Sequence, residues 1–451
     1  MIQNYFNFLM FFLLIYNLLL SFRFHVSFLS LESTFDLRTK IRTKSPLFFK
    51  LLNVFLRIGG IGSKFLIVTL MSKYFDVDVF GNYGLITSII TILIFVLGLD
   101  FYNFSIRDIL KTTGEQEIIN KVILTFGLYS LVYLLFLILG YFIFSNIDYV
   151  KPYLGFVLFL VITEHLSQEI YRLLIGFRKV LLANMLLFFR TVSWSSIIFY
   201  YYYNSNLITI DKIFILWLIA NILTIVYVFV LAITKNSKKI LKFTFSKNWI
   251  KEGLRISSVF FIATISLKSM EYANRFIVDY FMGEVLAGVF LFYSNISILI
   301  TVYINTIVIS FELPELIKSV NSHNINNLLK KFKKSLLIHI VISSVFIFLI
   351  IKPLLLWQDK VEFEKYLPLI YFFIVGVGLM NYSLLYHFKL YIYHKDKALL
   401  KSMVISACLS LFFTISLTHF CGIYGTATAF VISSIILYYM RYNEAKKMKY
   451  D

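Results

Sequence analysis

Long apolar runs separated by short polar connections dominate the chain from residue 46 onward. Runs of about 20 apolar residues are typical of helices that span a bilayer, whereas a β-barrel would show short alternating segments. The pattern predicts an all-α, polytopic membrane protein whose helices are packed neighbours. Its twelve main spans are expected at about 51–72, 83–104, 121–145, 153–175, 181–203, 212–234, 256–281, 287–310, 335–352, 367–388, 400–419 and 423–440.

An additional apolar stretch covers residues 5–22, ahead of the first main span. It lacks the basic residues that begin a secretory signal peptide. Three interpretations stay open: a thirteenth span, an accessory segment outside the main architecture, or the product of an upstream start codon. Residues 1–45 are therefore treated as an N-terminal extension.

Composition agrees with a membrane protein rather than with a basic soluble protein. Of the 451 residues, 59% are hydrophobic and 15% are charged, whereas soluble chains carry roughly 25% charged residues. The net charge of +19 could suggest nucleic-acid binding, but the Lys and Arg residues lie between the apolar runs, which indicates membrane topology. Nucleic acid is therefore excluded as a partner.

The basic residues concentrate in alternate connections and in the C-terminal tail. By the positive-inside rule these connections are cytoplasmic, which predicts a multi-pass protein of the bacterial inner membrane with a cytoplasmic C-terminus. The predicted segments after the extension are an N-terminal six-helix lobe at 46–234, a cytoplasmic basic linker at 235–255, a C-terminal six-helix lobe at 256–441 and a cytoplasmic tail at 442–451.

The two predicted lobes share an internal repeat. Residues 74–94 align with residues 280–300, and Ser88 falls on Ser294. Both segments cover the end of one span, a short outer turn with an acidic residue, and the start of the next span. Both lobes begin in the cytoplasm, so the repeat is parallel. Two parallel halves with a site between them are a plan found in transporters.

Several ionisable residues fall inside the predicted spans, where each costs about 2.5–3.5 kcal/mol unless it faces a cavity or a partner. The first helix of each lobe carries a mostly cationic stripe, which predicts a hydrated, positively charged cavity that suits an anionic substrate. The candidate substrate-binding residues are Arg57, Lys64, Arg190, Lys268 and Arg275. The candidates for ion coupling or ion pairing are Glu164, His165, Glu271 and Asp279.

A competing interpretation is that these charges only fasten helices together. Glu169 with Arg172 and Lys268 with Glu271 have the spacing of helical ion pairs. His339 and His387 are interpreted as packing or interfacial histidines. Since no metal-binding or redox motif surrounds Cys408 or Cys421, neither a structural metal nor a redox role is expected.

The first two spans resemble the amino-terminal region of polysaccharide repeat-unit flippases of the O-antigen, Wzx type. The resemblance is carried by the polar first span in Leu51–Asp100, the FGNYG turn at 80–84, the LGLD corner at 97–100 and the following Arg107. The second half echoes this pattern at 280–300, and the resemblance extends over about 46–445.

This resemblance implies a MATE-like fold in the multidrug/oligosaccharidyl-lipid/polysaccharide exporter superfamily, with two six-helix bundles around a central cavity. It implies a flippase that moves undecaprenyl-pyrophosphate-linked oligosaccharides, of O-antigen, lipopolysaccharide or capsule type, to the periplasmic leaflet by alternating access. Coupling to H⁺ or Na⁺ without another cofactor would fit the family. A polysaccharide polymerase and a chain-length regulator are the implied protein partners.

Two other functions compete with this one. A cation-coupled, MATE-type exporter of small molecules would share the fold, although its cationic substrates would favour an acidic or aromatic cavity. A membrane polymerase or ligase would need a large outer loop, and the longest predicted outer stretch, Lys352–Tyr366, is short. We therefore expect a transporter and not an enzyme. The lipid II flippase is a further alternative, which the first half resembles less.

Overall fold

The computed structural model describes residues 46–204, 208–236, 243–320 and 325–448, and the regular elements in these ranges are all helical. The apolar stretch 5–22 and the extension 1–45 lie outside the described residues. The helices are α1 (Pro46–Tyr74), α2 (Val77–Gly98), α3 (Tyr102–Lys111), α4 (Glu115–Phe144), α5 (Leu154–Gly176), α6 (Val180–Tyr203), α7 (Ile210–Asn236), α8 (Lys247–Met282), α9 (Glu284–Ile304), α10 (Ser310–Lys318), α11 (Ile325–Gln358), α12 (Val361–Lys365), α13 (Leu369–Tyr382), α14 (Leu384–Ile392) and α15 (Asp396–Lys446).

Each of the twelve predicted spans corresponds to one of these helices. The described residues contain ten helices that are long and apolar enough to cross a membrane. The difference has two causes: polar residues lower the hydropathy of α5, and α15 covers the last two predicted spans. Gly422, with φ +61°, interrupts α15 between them. The chain is therefore an all-α, multi-pass membrane protein.

Several helix boundaries differ from the sequence prediction. The second predicted span ends early, because Leu99 and Asp100 adopt left-handed φ angles of 48° and 49° and separate α2 from α3. Helix α8 begins at Lys247, inside the predicted linker 235–255. A π-helical turn at Asn305–Ile309 joins α9 to α10, and such turns are frequent at functional sites.

The described residues fall into two compact units. One contains residues 46–52 and 226–236, which are helical, and the other contains the remaining described residues. The predicted lobe boundaries at 46–234 and 256–441 stay a prediction.

The repeat-related helices α2 and α9 pack directly against each other at two glycines. A Cβ atom on Gly81 would lie 2.3 Å from the carbonyl oxygen of Glu284, and one on Gly288 would lie 2.3 Å from that of Val77. Only hydrogen at these positions allows the two backbones to approach so closely. The glycine crossing therefore joins the two repeat-related helices.

Burial along α1 differs between its two ends, whereas α9 has buried residues from Ala287 to its last residue, Ile304. We name the two ends of the molecule the Tyr74 end, where α1 stops, and the Asp100 end, beyond the last turn of α2. Residues 69–72 of α1 and 287–293 of α9 are buried near the Tyr74 end. Towards the Asp100 end, α1 exposes Phe55 and Ile58, and Phe311 of α10 is 60% exposed. Helix α1 is thus packed against its neighbours near Tyr74 and more accessible towards the Asp100 end.

Additional contacts close the Tyr74 end. The side chain of Gln358 donates to the carbonyl oxygen of Thr69 at 3.1 Å, and Lys73 donates to the carbonyl oxygen of Gln358 at 2.9 Å. Lys360 donates to the carbonyl oxygen of Phe75. These bonds hold the last turns of α1 against the connection between α11 and α12.

Candidate functional site

Glu164 and Arg190 form a buried ion pair between α5 and α6. Arg190 Nη1 lies 2.9 Å from Glu164 Oε1, and the two side chains are 6% and 3% exposed. Trp217 Nε1 and Asn221 Nδ2 of α7 donate to Glu164 Oε2 at 3.0 and 3.2 Å. Removing such a charge pair from water is costly, so these extra hydrogen bonds are needed to stabilise it. Arg190 is therefore neutralised in this conformation.

Lys64 is placed differently from Arg190. It lies on the accessible part of α1, and its side chain is exposed. Glu164 and Arg190 are both within its electrostatic range. Within the described ranges, no hydrogen bond or ion pair engages the Lys64 ammonium group. It is thus a cation that is available to a ligand.

Arg57 lies nearly two turns before Lys64 on α1, towards the Asp100 end. Its Nη1 donates to Ser310 Oγ of α10 over a long 3.4 Å, and both residues are accessible. A neutral hydroxyl at this distance leaves most of the guanidinium hydrogen-bonding capacity unused. Arg57 and Lys64 together form what we call the α1 cation pair.

Arg275 of α8 is buried and is held by neutral groups. Its guanidinium donates to Ser88 Oγ at 2.7 Å, to Asn295 Oδ1 at 3.0 Å and to Ser294 Oγ at 3.5 Å. The ring of Tyr272 lies 4.8 Å from the guanidinium carbon. Arg275 therefore contacts both repeat-related serines and fastens α8 to α2 and α9.

Helix α8 also carries Lys268 and the two acidic candidates Glu271 and Asp279. Lys268 Nζ lies 2.6 Å from Glu271 Oε2, with both side chains about one-fifth exposed, and 5.0 Å from the Phe95 ring centroid. Asp279 lies at the Tyr74 end, partly accessible, with Glu284 as an electrostatic neighbour. Lys268 and Glu271 thus form an ion pair within α8.

His165 belongs to a second buried network, separate from the Glu164 pair. Its Nδ1 lies 2.6 Å from the hydroxyl of Tyr133, and its Nε2 lies 3.7 Å from Glu169 Oε1. Tyr129 donates to Glu169 Oε2 at 2.9 Å, and Arg172 pairs with the other oxygen. These contacts connect α4 to α5 near the Asp100 end.

The sequence interpretation missed the neutral members of both networks. Trp217 and Asn221 of α7, and Tyr129 and Tyr133 of α4, lie in apolar runs where they resemble ordinary packing residues. The only available signal was indirect: a buried carboxylate must have donors somewhere, but a single sequence does not tell which neighbouring helix supplies them.

The described residues show neither a metal-binding cluster nor a disulfide at this site. Within the described ranges no group of three or more His, Cys, Asp or Glu side chains could hold a metal ion. Cys408 and Cys421 are both free and exposed. The arrangement can bind and release an anion electrostatically, through the α1 cation pair.

Comparison with known proteins gives a likeness in structure only. No protein-family model and no curated protein matches the sequence. An outward-facing multidrug resistance MATE family transporter of the MOP superfamily superposes over 88% of this chain and 94% of its own, with a TM-score of 0.63 and 12% sequence identity. The lipid II flippase MurJ in an inward closed conformation superposes over 89% and 87%, with a TM-score of 0.63 and 16% identity.

The chain has a MATE-like fold. A MOP superfamily transporter from Pyrococcus furiosus, described as having a binding pocket of reverse polarity, shares it over 88% of this chain and 96% of its own, with a TM-score of 0.58 and 10% identity. These neighbours are transporters and a flippase rather than enzymes. The MATE-like fold hosts both small-molecule export and lipid flipping, so substrate class must be argued from the side chains.

Proposed function

We propose that the protein is a flippase that moves undecaprenyl-pyrophosphate-linked oligosaccharide repeat units from the cytoplasmic to the periplasmic leaflet of a bacterial inner membrane. The observation that carries the proposal is the α1 cation pair. Arg190 is neutralised by Glu164, and Lys268 by Glu271. Arg57 and Lys64 face accessible space without such partners. Two accessible cations without acidic partners among the described residues favour an anionic ligand such as pyrophosphate.

The proposed mechanism is alternating access. In the predicted orientation the Asp100 end is cytoplasmic, so the pyrophosphate and sugars enter from the cytoplasm while the polyprenyl chain stays in lipid. The α1 cation pair binds the pyrophosphate electrostatically. Opening at the Tyr74 end then requires separation at the glycine crossing and loss of the bonds of Arg275. No covalent bond is made or broken, so no catalytic residue is needed.

Energy coupling and protein partners belong to the same proposal. Glu164, His165, Glu271 and Asp279 are the carboxyl and imidazole groups that H⁺ or Na⁺ would engage. A polysaccharide polymerase and a chain-length regulator would use the translocated repeat unit on the periplasmic side. The C-terminal tail 442–451 would remain in the cytoplasm.

The competing candidate is a cation-coupled exporter of small molecules. The likeness to multidrug resistance MATE transporters favours it as much as it favours a flippase. The charge of the accessible side chains opposes it, because the α1 cation pair repels cationic drugs.

The test is deletion of the gene followed by complementation in the native bacterium. We expect the deletion to abolish surface polysaccharide and to accumulate lipid-linked single repeat units. The Arg57→Ala/Lys64→Ala double variant should not restore surface polysaccharide. The Arg57→Ala/Arg275→Ala double variant should also fail to restore it. The matched control is Lys251→Ala/Arg255→Ala, which removes two exposed charges near the start of α8.

Membrane insertion of every variant is measured by immunoblot. Normal surface polysaccharide in the deletion strain would end the proposal. Loss of resistance to cationic drugs, with polysaccharide intact, would instead support the exporter.

A further inference from the structure

Arg441, near the end of α15, is a buried cation without an acidic partner. The buried arginines in the described part of the chain are Arg190, Arg275 and Arg441. Arg190 pairs with Glu164, and Glu271 is within electrostatic range of Arg275. Among the residues that the structure describes, no carboxylate contributes to the surroundings of Arg441, which is 2% exposed. The lack of a nearby carboxylate distinguishes Arg441 from Arg190 and Arg275.

The groups around Arg441 do not compensate its charge. Its Nη1 donates to Ser383 Oγ at 2.7 Å, while that hydroxyl itself donates to the carbonyl oxygen of Met380 at 2.6 Å. The Nε–H group of Arg441 is buried and makes no hydrogen bond with the described residues. An uncompensated guanidinium in such surroundings is strongly unfavourable.

A second unpartnered nitrogen lies one helical turn from the hydroxyl partner of Arg441. His387 of α14 donates its backbone N–H to the carbonyl oxygen of Ser383 at 3.1 Å, and its Nδ1 atom is buried and unpartnered among the described residues. With a proton on Nδ1, the imidazole presents an N–H group.

We propose that Arg441 and His387 form a binding site for a small inorganic anion of the size of chloride. The anion would accept from Arg441 Nε and His387 Nδ1 and would neutralise the guanidinium. The unpartnered atoms are buried, which favours a single-atom anion over a bulky one. This site is distinct from the α1 cation pair and does not depend on the transported substrate.

The surrounding structure gives the site a rigid wall and a positive field. Tyr386 packs edge-to-face against Tyr438 and Tyr442, with ring centroids 5.6 and 5.2 Å apart, and so joins α14 to the end of α15. A surface depression of about 470 Å³ adjoins this turn of α15. At this depression, Lys447 pairs with Glu444 at 2.7 Å, and the remaining lysines, Lys401 and Lys446, raise the local concentration of anions. The residues that line it are Lys401, Met440, Asn443, Glu444, Lys446 and Lys447.

The experiment is thermal unfolding of the purified full chain in detergent, with chloride replacing gluconate at constant ionic strength. We expect chloride to raise the melting temperature Tm saturably by about 2–5 °C, since an anion that binds the folded state stabilises it. Arg441→Gln should abolish the rise. Arg255→Gln, the same change at an exposed arginine, and Arg57→Gln should retain it.

Two further measurements test the proposal if Arg441→Gln does not fold. His387→Phe, which keeps the ring and removes the donor, should raise the chloride concentration at half-effect by about fivefold. Crystals of the unaltered chain grown in bromide should show an anomalous peak in contact with Arg441 Nε. An equal chloride response in Arg441→Gln, an unchanged midpoint in His387→Phe, or no bromide peak at Arg441 would each overturn the proposal.

Discussion

Arg275 and Ser88 are joined by a hydrogen bond of 2.7 Å that runs from α8 to α2. Ser88 is the repeat equivalent of Ser294, which the same guanidinium contacts at 3.5 Å. One arginine therefore bridges equivalent positions of the two halves of the chain. In the proposed cycle these bonds must break before the Tyr74 end opens.

We expect Arg275→Gln to destabilise the protein. The change removes charge-assisted hydrogen bonds that are each worth about 1.5–3 kcal/mol, so the free energy of unfolding should fall by about 2 kcal/mol or more. Thermal unfolding in detergent measures the effect. Arg255→Gln on the same helix is the matched control and should leave Tm unchanged; equal Tm values for both variants would contradict the bridging role.

The glycine crossing gives a second prediction, for Gly288→Ala. The new methyl group would meet a backbone carbonyl at 2.3 Å. A carbonyl cannot rotate away as a side chain can, so the helices must separate, at a cost of about 1–3 kcal/mol. Gly127→Ala is the control, because no atom outside its own helix backbone and chain neighbours lies within 4 Å of its Cβ position. If the two variants unfold at the same temperature, α2 and α9 are not in close contact.

Breaking the Glu164–Arg190 pair should be severe. Glu164→Gln leaves a buried guanidinium without its counter-charge, which costs about 3–5 kcal/mol. Adding Arg190→Met should recover much of that loss, whereas two independent sites would give additive losses. Glu271→Gln, which breaks a partly exposed pair, should cost about 1 kcal/mol or less. Comparison of Tm for Glu164→Gln, Arg190→Met, their double variant and Glu271→Gln decides between these outcomes.

Asp108 of α3 gives a prediction on pH. Burial by itself raises the pKa of this carboxyl, but hydrogen bonds from Lys121 and Trp249 outweigh it and hold the pKa below the ordinary value. A depressed carboxyl pKa stabilises the fold above the unfolded-state pKa of about 3.9. That stability is lost as pH falls through the folded-state pKa.

Asp108→Asn should therefore lower Tm at pH 7, and the difference from the unaltered chain should shrink and close as the medium is acidified below about pH 3.9. Since the side chain is 34% exposed, the effect at neutral pH should be small, about 0.5 kcal/mol. A difference that persists unchanged in strong acid would contradict the assignment.

The predicted orientation is testable with reporter fusions. Alkaline phosphatase fused after Asp359, in the connection between α11 and α12, should be active, because that connection is expected in the periplasm. The same enzyme fused after Lys446 should be inactive, and green fluorescent protein there should be fluorescent. Activity in the opposite pattern would reverse the topology and with it the direction of transport.

The sequence predicted the helices well, because apolar runs are a property of each helix alone. The predicted second span ran past the break between α2 and α3, since left-handed φ angles at Leu99 and Asp100 carry no clear signal in non-glycine residues. Only the family resemblance marked a corner at 97–100. Ion pairs within one helix were recognisable from their spacing, as for Lys268 and Glu271. The partner of Arg190 was not, because its position on α6 does not reveal which turn of α5 it faces.

The composition of α5 has a consequence for biogenesis. Glu164, His165, Glu169 and Arg172 make this helix too polar to be stable in lipid alone, and their partners come from α4, α6 and α7. We expect the translocon to retain α5 until the later helices have been synthesised. In glycosylation mapping, chains truncated after Arg178 should leave α5 uninserted, and chains truncated after Asn236 should insert it; insertion of both would show that α5 enters the bilayer unaided.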